Sequence, residues 1–365
     1  MNVNNEKTLE TKRAPGLTGA WKGFTTALDR IGVSPLGLAL FILVALLPLI
    51  PPFDQEHILR WLIMGAFLGA QAVAFDFTGG YINVVNFGFA AVLGLGAYTS
   101  AILSNDVGIV AIHPGWSPWI TIWIGALVAS MFGFLLGWLT LRLRGIYAAV
   151  MAWFAGIALM GLATNLTSIT RGSLGFNPCP LMETTSNLPY YYVILAMLAL
   201  TYITLRLVTK SHLGLAFRCI GQNIDAARAS GINPTRYRII NFTLSCTFAG
   251  LLGGFYAHYI GSLTPKTVMH TSKTVEVLAL AYIGGRGSLW GGIVTAFPFV
   301  FFIEYLRSNL SELPGLHLVI YGVLMILVMI FYPSGLAGFY RWAVAKIKSP
   351  RSKESRPDQA TDCVR

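Results

Sequence analysis

The sequence predicts an all-α polytopic membrane protein with about ten transmembrane or re-entrant helices. Of its 365 residues, 55% are hydrophobic and only 11% are charged, and the mean hydropathy is +0.64. A soluble surface needs more charged residues than this chain has. The apolar residues form unbroken runs instead of alternating with polar ones, which favours membrane helices over a closed barrel.

The apolar runs divide into ten segments, most of them near the length of about 20 residues that crosses a bilayer as a helix. They cover residues 35–53, 58–77, 84–103, 119–141, 146–166, 190–207, 239–260, 274–283, 289–305 and 316–332. The first segment follows a basic N-terminus but has no small-residue cleavage pattern, so we expect an uncleaved span. The eighth is too short to span alone and precedes Gly284, Gly285 and Gly287, which predicts a broken or re-entrant helix.

The basic residues predict the orientation of these segments. With a cytoplasmic N-terminus and ten crossings, 21 of the 26 Lys and Arg residues fall on the cytoplasmic side, as the positive-inside rule requires. Both termini are then cytoplasmic, and the net charge of +11 needs no nucleic-acid partner. The predicted domains are a cytoplasmic N-terminal segment (1–34), a transmembrane domain (35–340) with a cytoplasmic loop at 209–238, and a disordered basic cytoplasmic tail (341–365).

Motifs for other chemistries are missing from the sequence. There is no GxxxxGK[ST] loop for ATP, and no Ser-His-Asp, paired-carboxylate or HExxH arrangement for catalysis. The four cysteines form no CxxC pair and no metal-ligand spacing with the six histidines. We therefore expect no cofactor and no metal, and any ATP-driven activity needs a separate ATPase subunit.

The polar loop at 209–238 contains a predicted short helix over residues 224–230. Asn223 is placed to cap it, and Asp225 lies near the positive end of its dipole. Gly231 can end it in a left-handed conformation, and Pro234 bars its continuation. Its small residues let another protein approach closely: Ala226, Ala227 and Ala229. The alternative is an ordinary loop helix that lies on the membrane surface.

A glycine-rich stretch from Asp76 to Ser100 is the second informative region. Its glycines and polar residues suit close packing or an interrupted helix at a transport site better than a lipid-facing helix. We expect the glycines after Gly88 to serve packing, and Asn83 and Asn86 to line a polar pathway. Three further polar residues of membrane segments are assigned to the same pathway: Gln71, Asp76 and Glu276. A neighbouring helix could satisfy Gln71 equally well.

Several motifs in the same order resemble one known family. They are LRLRGIYAAV from Leu141, TRGSLGF from Thr170, DAARASGINPTRYRIINF from Asp225, AGLLGGFYAHYIGSLTP from Ala249, SKTVEVLALAYIGGRGSLWGG from Ser272 and PSGLAG from Pro333. The chain resembles the M-type inner-membrane permeases of ABC importers for branched-chain amino acids, over roughly residues 58–339. Within the glycine-rich stretch it departs from the family pattern at four positions, namely Asp76, Asn83, Asn86 and Phe89, which leaves the substrate open.

The resemblance implies a multi-pass protein of the bacterial inner membrane. Its partners would be two ATP-binding cassette subunits, a second homologous permease and a periplasmic solute-binding protein. The solute would be a branched-chain or other small neutral amino acid, or a related solute such as urea. The resemblance marks Glu276 and the following glycines as family positions near the cytoplasmic side. It also implies a coupling segment that docks on the ATPase, to which we assign Ile224, Asp225, Ala226, Ala227, Arg228 and Gly231.

Two readings from other classes stay open. An ion- or proton-coupled secondary transporter would work without ATP and would use Asp76, Glu276 or Glu304 as its coupling carboxylate. It would not need the helix in the polar loop. A membrane enzyme is disfavoured because the catalytic motifs are missing. For Glu276, the alternative to a pathway role is an ion pair with Lys273 three residues away.

Overall fold

A computed structural model describes residues 35–49, 55–105, 114–139, 143, 146–175, 177–184 and 186–309, with scattered positions between 319 and 338. The predicted N-terminal segment and basic tail, and most of the tenth apolar segment, lie outside these residues. Thirteen α-helices occupy the described part, and no β-strand occurs there. They are α1 Pro35–Leu46, α2 Glu56–Gly79, α3 Phe89–Ser104, α4 Pro118–Leu139, α5 Ile146–Asn165, α6 Thr167–Thr170, α7 Leu188–Lys210, α8 His212–Gln222, α9 Ile224–Ala229, α10 Pro234–Ile260, α11 Pro265–Met269, α12 Thr271–Gly284 and α13 Trp290–Asn309.

Five of these helices are long and apolar enough to cross a membrane, namely α2, α4, α5, α7 and α10. Each has at least 20 residues, which corresponds to about 30 Å of helix. The helical composition of the described residues agrees with the predicted all-α polytopic class. The count of about ten crossings and the cytoplasmic placement of the termini stay predictions.

Two membrane segments are shorter than a full span. Helix α3 begins at Phe89, five residues after the predicted start, because the chain forms turns between Gly80 and Gly88. Helix α12 has 14 residues, about 21 Å, which falls short of a hydrocarbon core of about 30 Å. The glycines that follow it adopt positive φ at Gly285 and Gly287, as expected for irregular backbone.

Close glycine contacts hold α10 against α3 and α4. A Cβ added to Gly96 of α3 would collide with the backbone of Gly250 in α10, and one added to Gly125 of α4 would collide with the backbone of Gly96. Small residues allow such backbone approach where the hydrophobic effect between membrane helices is weak. The packing role predicted for the glycines after Gly88 agrees with this contact.

Hydrogen bonds from α10 fix the end of α2. Ser245 donates to the Ala74 carbonyl at 2.7 Å, and Asn241 donates to the Phe77 carbonyl at 2.9 Å. All of these groups are buried. Ser245 and the NH₂ group of Asn241 thus bond to a neighbouring helix, whereas the buried Asn241 Oδ1 has no hydrogen-bond partner among the described residues.

A buried hydrogen-bond chain ties the opposite end of α10 to α3 and α4. His258 contacts the Ser100 hydroxyl through Nε2 at 2.8 Å and the Cys179 carbonyl through Nδ1 at 2.7 Å. Because a carbonyl can only accept, Nδ1 carries the hydrogen and Nε2 accepts from Ser100. The Ser100 hydroxyl also lies 3.0 Å from the Thr121 hydroxyl. This chain anchors the loop before α7 on the helix bundle.

Candidate functional site

Helix α9, in the polar loop, is closed at both ends by its own residues. The Asn223 side chain accepts hydrogen bonds from the backbone N–H groups of Asp225 and Ala226, at 3.0 and 3.1 Å. At the other end, Gly231 has φ = 80°, and its N–H donates to the Arg228 carbonyl at 3.0 Å. Both caps agree with the sequence prediction, and the helix ends at Ala229, one residue before the predicted end.

The six coupling residues point in two directions. Ala227 is buried, at 3% exposure, and Ile224 is half-buried against the core. Asp225, Ala226 and Arg228 are exposed, with an ion pair of 3.6 Å between Asp225 and Arg228. The face that a partner can reach therefore consists of the exposed residues. Ala227 packs inward and does not belong to it.

Helix α8 seats this segment on the membrane helices. This helix was not predicted from the sequence, although its apolar residues recur on one face. Ser211 caps it by accepting from the Leu213 N–H at 3.3 Å. Phe217 is fully buried, with its ring 5.6 Å from the ring of Phe77 at the end of α2. The polar loop thus rests on the cytoplasmic end predicted for α2.

A cavity of about 560 Å³ opens between α2, α3, α10, α11, α12 and α13. Gln71 and Glu276, two of the predicted pathway residues, both line it. Apolar side chains form much of its wall: Met64, Phe67, Leu68, Leu93, Val277, Val300 and Ile303. Its charged side chains are Lys266, Lys273, Glu276, Glu304 and Arg307.

Four of the five charged side chains of the cavity form two ion pairs. Lys273 contacts Glu276 at 3.1 Å, and Arg307 contacts Glu304 at 3.0 Å. The glutamate side chains are 20% and 29% exposed, whereas their cationic partners are 52% and 62% exposed. The carboxylates therefore lie deeper than the cations. Glu276 pairs with Lys273, as the ion-pair alternative predicted, and it also lines the cavity. Its role in a transport pathway stays a prediction.

Sequence reasoning missed two of the three cations of the cavity, Lys266 and Arg307. Lys273 was considered only as an ion-pair partner of Glu276. A signal was present for Arg307, because it lies three residues from Glu304, which is inside an apolar segment. On a helix, residues three apart share a face.

Asp76 does not line this cavity. Its buried carboxylate accepts hydrogen bonds from the backbone N–H groups of Gly287 at 2.8 Å and Leu289 at 3.0 Å. Leu289 has φ = 56°, so the carboxylate holds a left-handed turn between α12 and α13. In this arrangement Asp76 anchors a loop, and its assignment to a pathway stays a prediction.

Asn83 and Asn86 also have protein partners. Asn83 accepts from the Arg286 guanidinium, and Asn86 accepts from the Gly88 N–H at 3.1 Å in a turn before α3. Neither lines the cavity of Gln71 and Glu276. Asn86 is buried, and its hydrogen bond supplies a partner that a buried amide needs, whereas Asn83 is exposed. Both residues stay pathway candidates by prediction alone.

The glycine motifs of three distant segments meet at one place. Gly287 packs on Gly80 from the end of α2, and a Cβ on Gly335 would lie against the backbone of Gly285. A side chain at these positions would separate the segments. The glycines of IGGRG and PSGLAG thus belong to a single backbone junction rather than to a ligand site. Among the described residues, no group of three or more His, Cys, Asp or Glu could hold a metal ion.

Comparisons with known proteins agree with the motifs. The family described as the permease component of branched-chain amino acid transport systems matches residues 57–329. The high-affinity branched-chain amino acid permease LivM of Salmonella typhimurium is 29% identical, over 75% of this chain and 68% of that protein. LivM of Escherichia coli K12 is 30% identical, over 70% and 64%. The nucleoside ABC transporter permease NupC of Lactococcus lactis is 23% identical, over 72% and 86%.

The aligned region thus spans about two thirds of the LivM proteins. No solved structure matches the chain. The family match covers more than half of the 365 residues and includes the cavity, helix α9 and, in the glycine junction, Gly80, Gly285 and Gly287. The chain therefore belongs to the family of permease components of branched-chain amino acid transport systems, as a multi-pass protein of the bacterial inner membrane.

Proposed function

We propose that the chain is the transmembrane permease subunit of an ATP-driven importer for branched-chain or other small neutral amino acids. Two ATP-binding cassette subunits hydrolyse the ATP, a second homologous permease completes the pore, and a periplasmic binding protein delivers the solute. The observation that carries the proposal is helix α9. It is capped by its own residues and offers an exposed face in a polar loop between two long apolar helices.

The size and chemistry of this face suit a protein partner. Asp225, Ala226 and Arg228 are exposed on a helix of six residues, and the small side chain of Ala226 leaves room for a partner's surface. Asp225 and Arg228 pair with each other, and an exposed pair of this kind contributes only about 0.3–0.5 kcal/mol to the helix. The Arg228 charge can therefore turn to a partner at low cost.

The cavity supports an amino acid as the solute. Lys266, which belongs to neither of the two ion pairs, can hold a carboxylate, and the apolar wall suits an aliphatic side chain. The relatives widen the range, because they include the nucleoside permease NupC and the autoinducer 2 permease LsrC. The choice of an aliphatic amino acid follows the LivM relatives.

A secondary transporter fits the carboxylates less well. Glu276 and Glu304 are each paired with a cation three residues away, and Asp76 is bound by two backbone N–H groups. An ion-coupling carboxylate has to exchange its ion during each cycle. These three carboxylates are instead engaged by the protein itself.

The substitution Ala226→Arg tests the docking of the ATPase. A long cation on the exposed face should block the approach of the ATPase while α9 itself stays folded. We expect solute-stimulated ATP hydrolysis and uptake to fall by at least about tenfold, equivalent to about 1.4 kcal/mol. The readouts are co-purification of the ATPase with the permease from membranes and uptake by proteoliposomes.

Ala226→Ser is the matched control, because serine at this exposed position keeps the side chain small. It should assemble and transport like the wild type. Ala227→Arg is unsuitable for this test, because that side chain is buried and the substitution would disturb the fold of the loop. Normal co-purification and uptake in the Ala226→Arg variant would contradict the proposal.

A further inference from the structure

The turn after α2, which begins at Gly80 and includes Tyr81, lies between the polar loop and the helices of the cavity. On one side it is covered by α8, which precedes the proposed coupling segment in the chain. On the other side it meets the loop between α12 and α13. Resting on the proposed function, we propose that Tyr81 is the positioning residue through which α8 transmits movement of the coupling segment to the cavity. Arg218 and Gly221 of α8 contact Tyr81 directly.

Helix α8 contacts the turn through the side chain of Arg218 and the backbone of Gly221. The Arg218 guanidinium lies over the Tyr81 ring, 5.4 Å from its centroid, in a cation–π arrangement. Gly221 sits so close to the Tyr81 carbonyl that a Cβ would collide with it. Tyr81 is itself buried, at 3% exposure. A cavity of about 240 Å³ lies beside this contact, lined by Tyr81, Arg218 and Gly221. Movement of α8 towards the turn would therefore act first through Gly221, which already lies against the Tyr81 carbonyl.

The turn is tied in the same way to the loop between α12 and α13. Arg286 donates from Nε and Nη2 to the Gly79 carbonyl, both at 3.2 Å, and it also donates to Asn83. One turn of helix earlier, the Asp76 carboxylate holds the N–H groups of Gly287 and Leu289. The turn and the start of α13 thus form one hydrogen-bonded unit.

Four cavity-lining helices begin or end at this unit. Helix α2 ends at Gly79 and α12 at Gly284, while α3 begins at Phe89 and α13 at Trp290. All four contribute side chains to the cavity, among them Gln71 of α2. Because packed elements move between discrete arrangements and do not deform continuously, displacement of the turn would be passed to all four helix ends.

A purely structural role for Tyr81 would give a different phenotype. Loss of a packing contact lowers the amount of assembled complex but leaves the uptake per ATP hydrolysed unchanged in the complexes that form. Loss of a transmitting contact leaves ATP hydrolysis in place and lowers uptake. The ratio of uptake to hydrolysis therefore separates the two roles.

Three single variants use this ratio in the assembled complex with its ATPase. Tyr81→Leu removes the ring and Arg218→Met removes the cation, and each should lower the ratio by at least about tenfold. Tyr81→Phe is the matched control, because the buried Tyr81 hydroxyl has no hydrogen-bond partner in the described part of the chain. It keeps the ring and should stay within about twofold of the wild type. A wild-type ratio in both Tyr81→Leu and Arg218→Met would overturn the inference.

A cross-link tests the same contact without depending on the stability of single variants. In a cysteine-free background, Tyr81→Cys and Arg218→Cys are combined, and the assembled complex is treated with a short bifunctional thiosulfonate. The untreated double variant should hydrolyse ATP with little uptake, and the cross-link should restore at least half of the wild-type ratio. Loss of the remaining uptake on cross-linking, or no change, would overturn the inference, because α8 and the turn would then move apart or independently.

Different results would contradict the proposed function and the proposed role of Tyr81. If the wild-type complex shows no ATP-dependent uptake at all, the proposed function is wrong. If the wild type transports and every Tyr81 and Arg218 variant keeps its ratio, only the transmission through Tyr81 is wrong.

Discussion

Replacement of Asp76 by asparagine should destabilise the junction at the end of α2. In the wild type, one carboxylate oxygen accepts from the Gly287 N–H and the other from the Leu289 N–H. The substitution Asp76→Asn leaves a single acceptor oxygen. Its NH₂ group is a donor and would face a second donor. One buried backbone N–H therefore loses its partner, and the other exchanges a charged acceptor for a neutral one.

The size of the effect follows from these two losses. An unsatisfied buried donor costs about 1–3 kcal/mol, and the exchange of a charged for a neutral acceptor weakens a hydrogen bond by about 1 kcal/mol. Together they give about 2–4 kcal/mol. For chains of 150–250 residues, each kcal/mol corresponds to roughly 2–4 °C in Tm, so we expect a decrease of at least about 4 °C.

The assay is the midpoint temperature at which the detergent-solubilised protein loses its monodisperse elution peak. Thr78→Val is the matched control in the same turn of α2. The Thr78 hydroxyl is buried and has no hydrogen-bond partner among the described residues, so its removal should be neutral or slightly stabilising. A midpoint within about 1 °C of the wild type for Asp76→Asn, or an equal loss for Thr78→Val, would refute this account of Asp76.

Two further predictions concern the far end of the bundle and the orientation. Ser100→Ala leaves the buried His258 Nε2 without its donor and should lower the stability by about 1–3 kcal/mol. The control Thr99→Ala loses only a hydrogen bond to its own helix and should lower the stability less. The thermal midpoints of the two variants are compared, and equal decreases would contradict the role of Ser100. In a cysteine-free background, Ser117→Cys should react with an impermeant thiol reagent in intact cells and Ser230→Cys should not, because the basic residues place the latter in the cytoplasm. Labelling of Ser230→Cys in intact cells would contradict the orientation.

Features that depend on near neighbours could be predicted from the sequence. The Asn223 cap acts on N–H groups two and three residues away, and Gly231 ends the helix by its own conformation. The bounds of α9 were therefore predicted to within one residue. The all-α class followed from the length of the apolar runs, which fixes how each run satisfies its backbone in a bilayer.

Features that depend on distant residues could not be predicted in this way. The partners of Asp76 lie 211 and 213 residues further along the chain, and Arg286 lies 203 residues from Asn83. The sequence showed the cost of burying these polar groups but not which segment meets them. Water in a pathway and a distant backbone satisfy that cost equally well, so the pattern alone could not separate a transport site from a structural junction.

The source of energy tests the central claim most directly. The chain is purified with the ATPase and the second permease with which it is expressed, reconstituted in proteoliposomes with the binding protein, and supplied with radiolabelled leucine. We expect uptake that requires hydrolysable ATP on the side of α9 and persists when proton and sodium gradients are collapsed by ionophores. Uptake by the chain alone, driven by an ion gradient without ATP, would contradict the account and favour a secondary transporter.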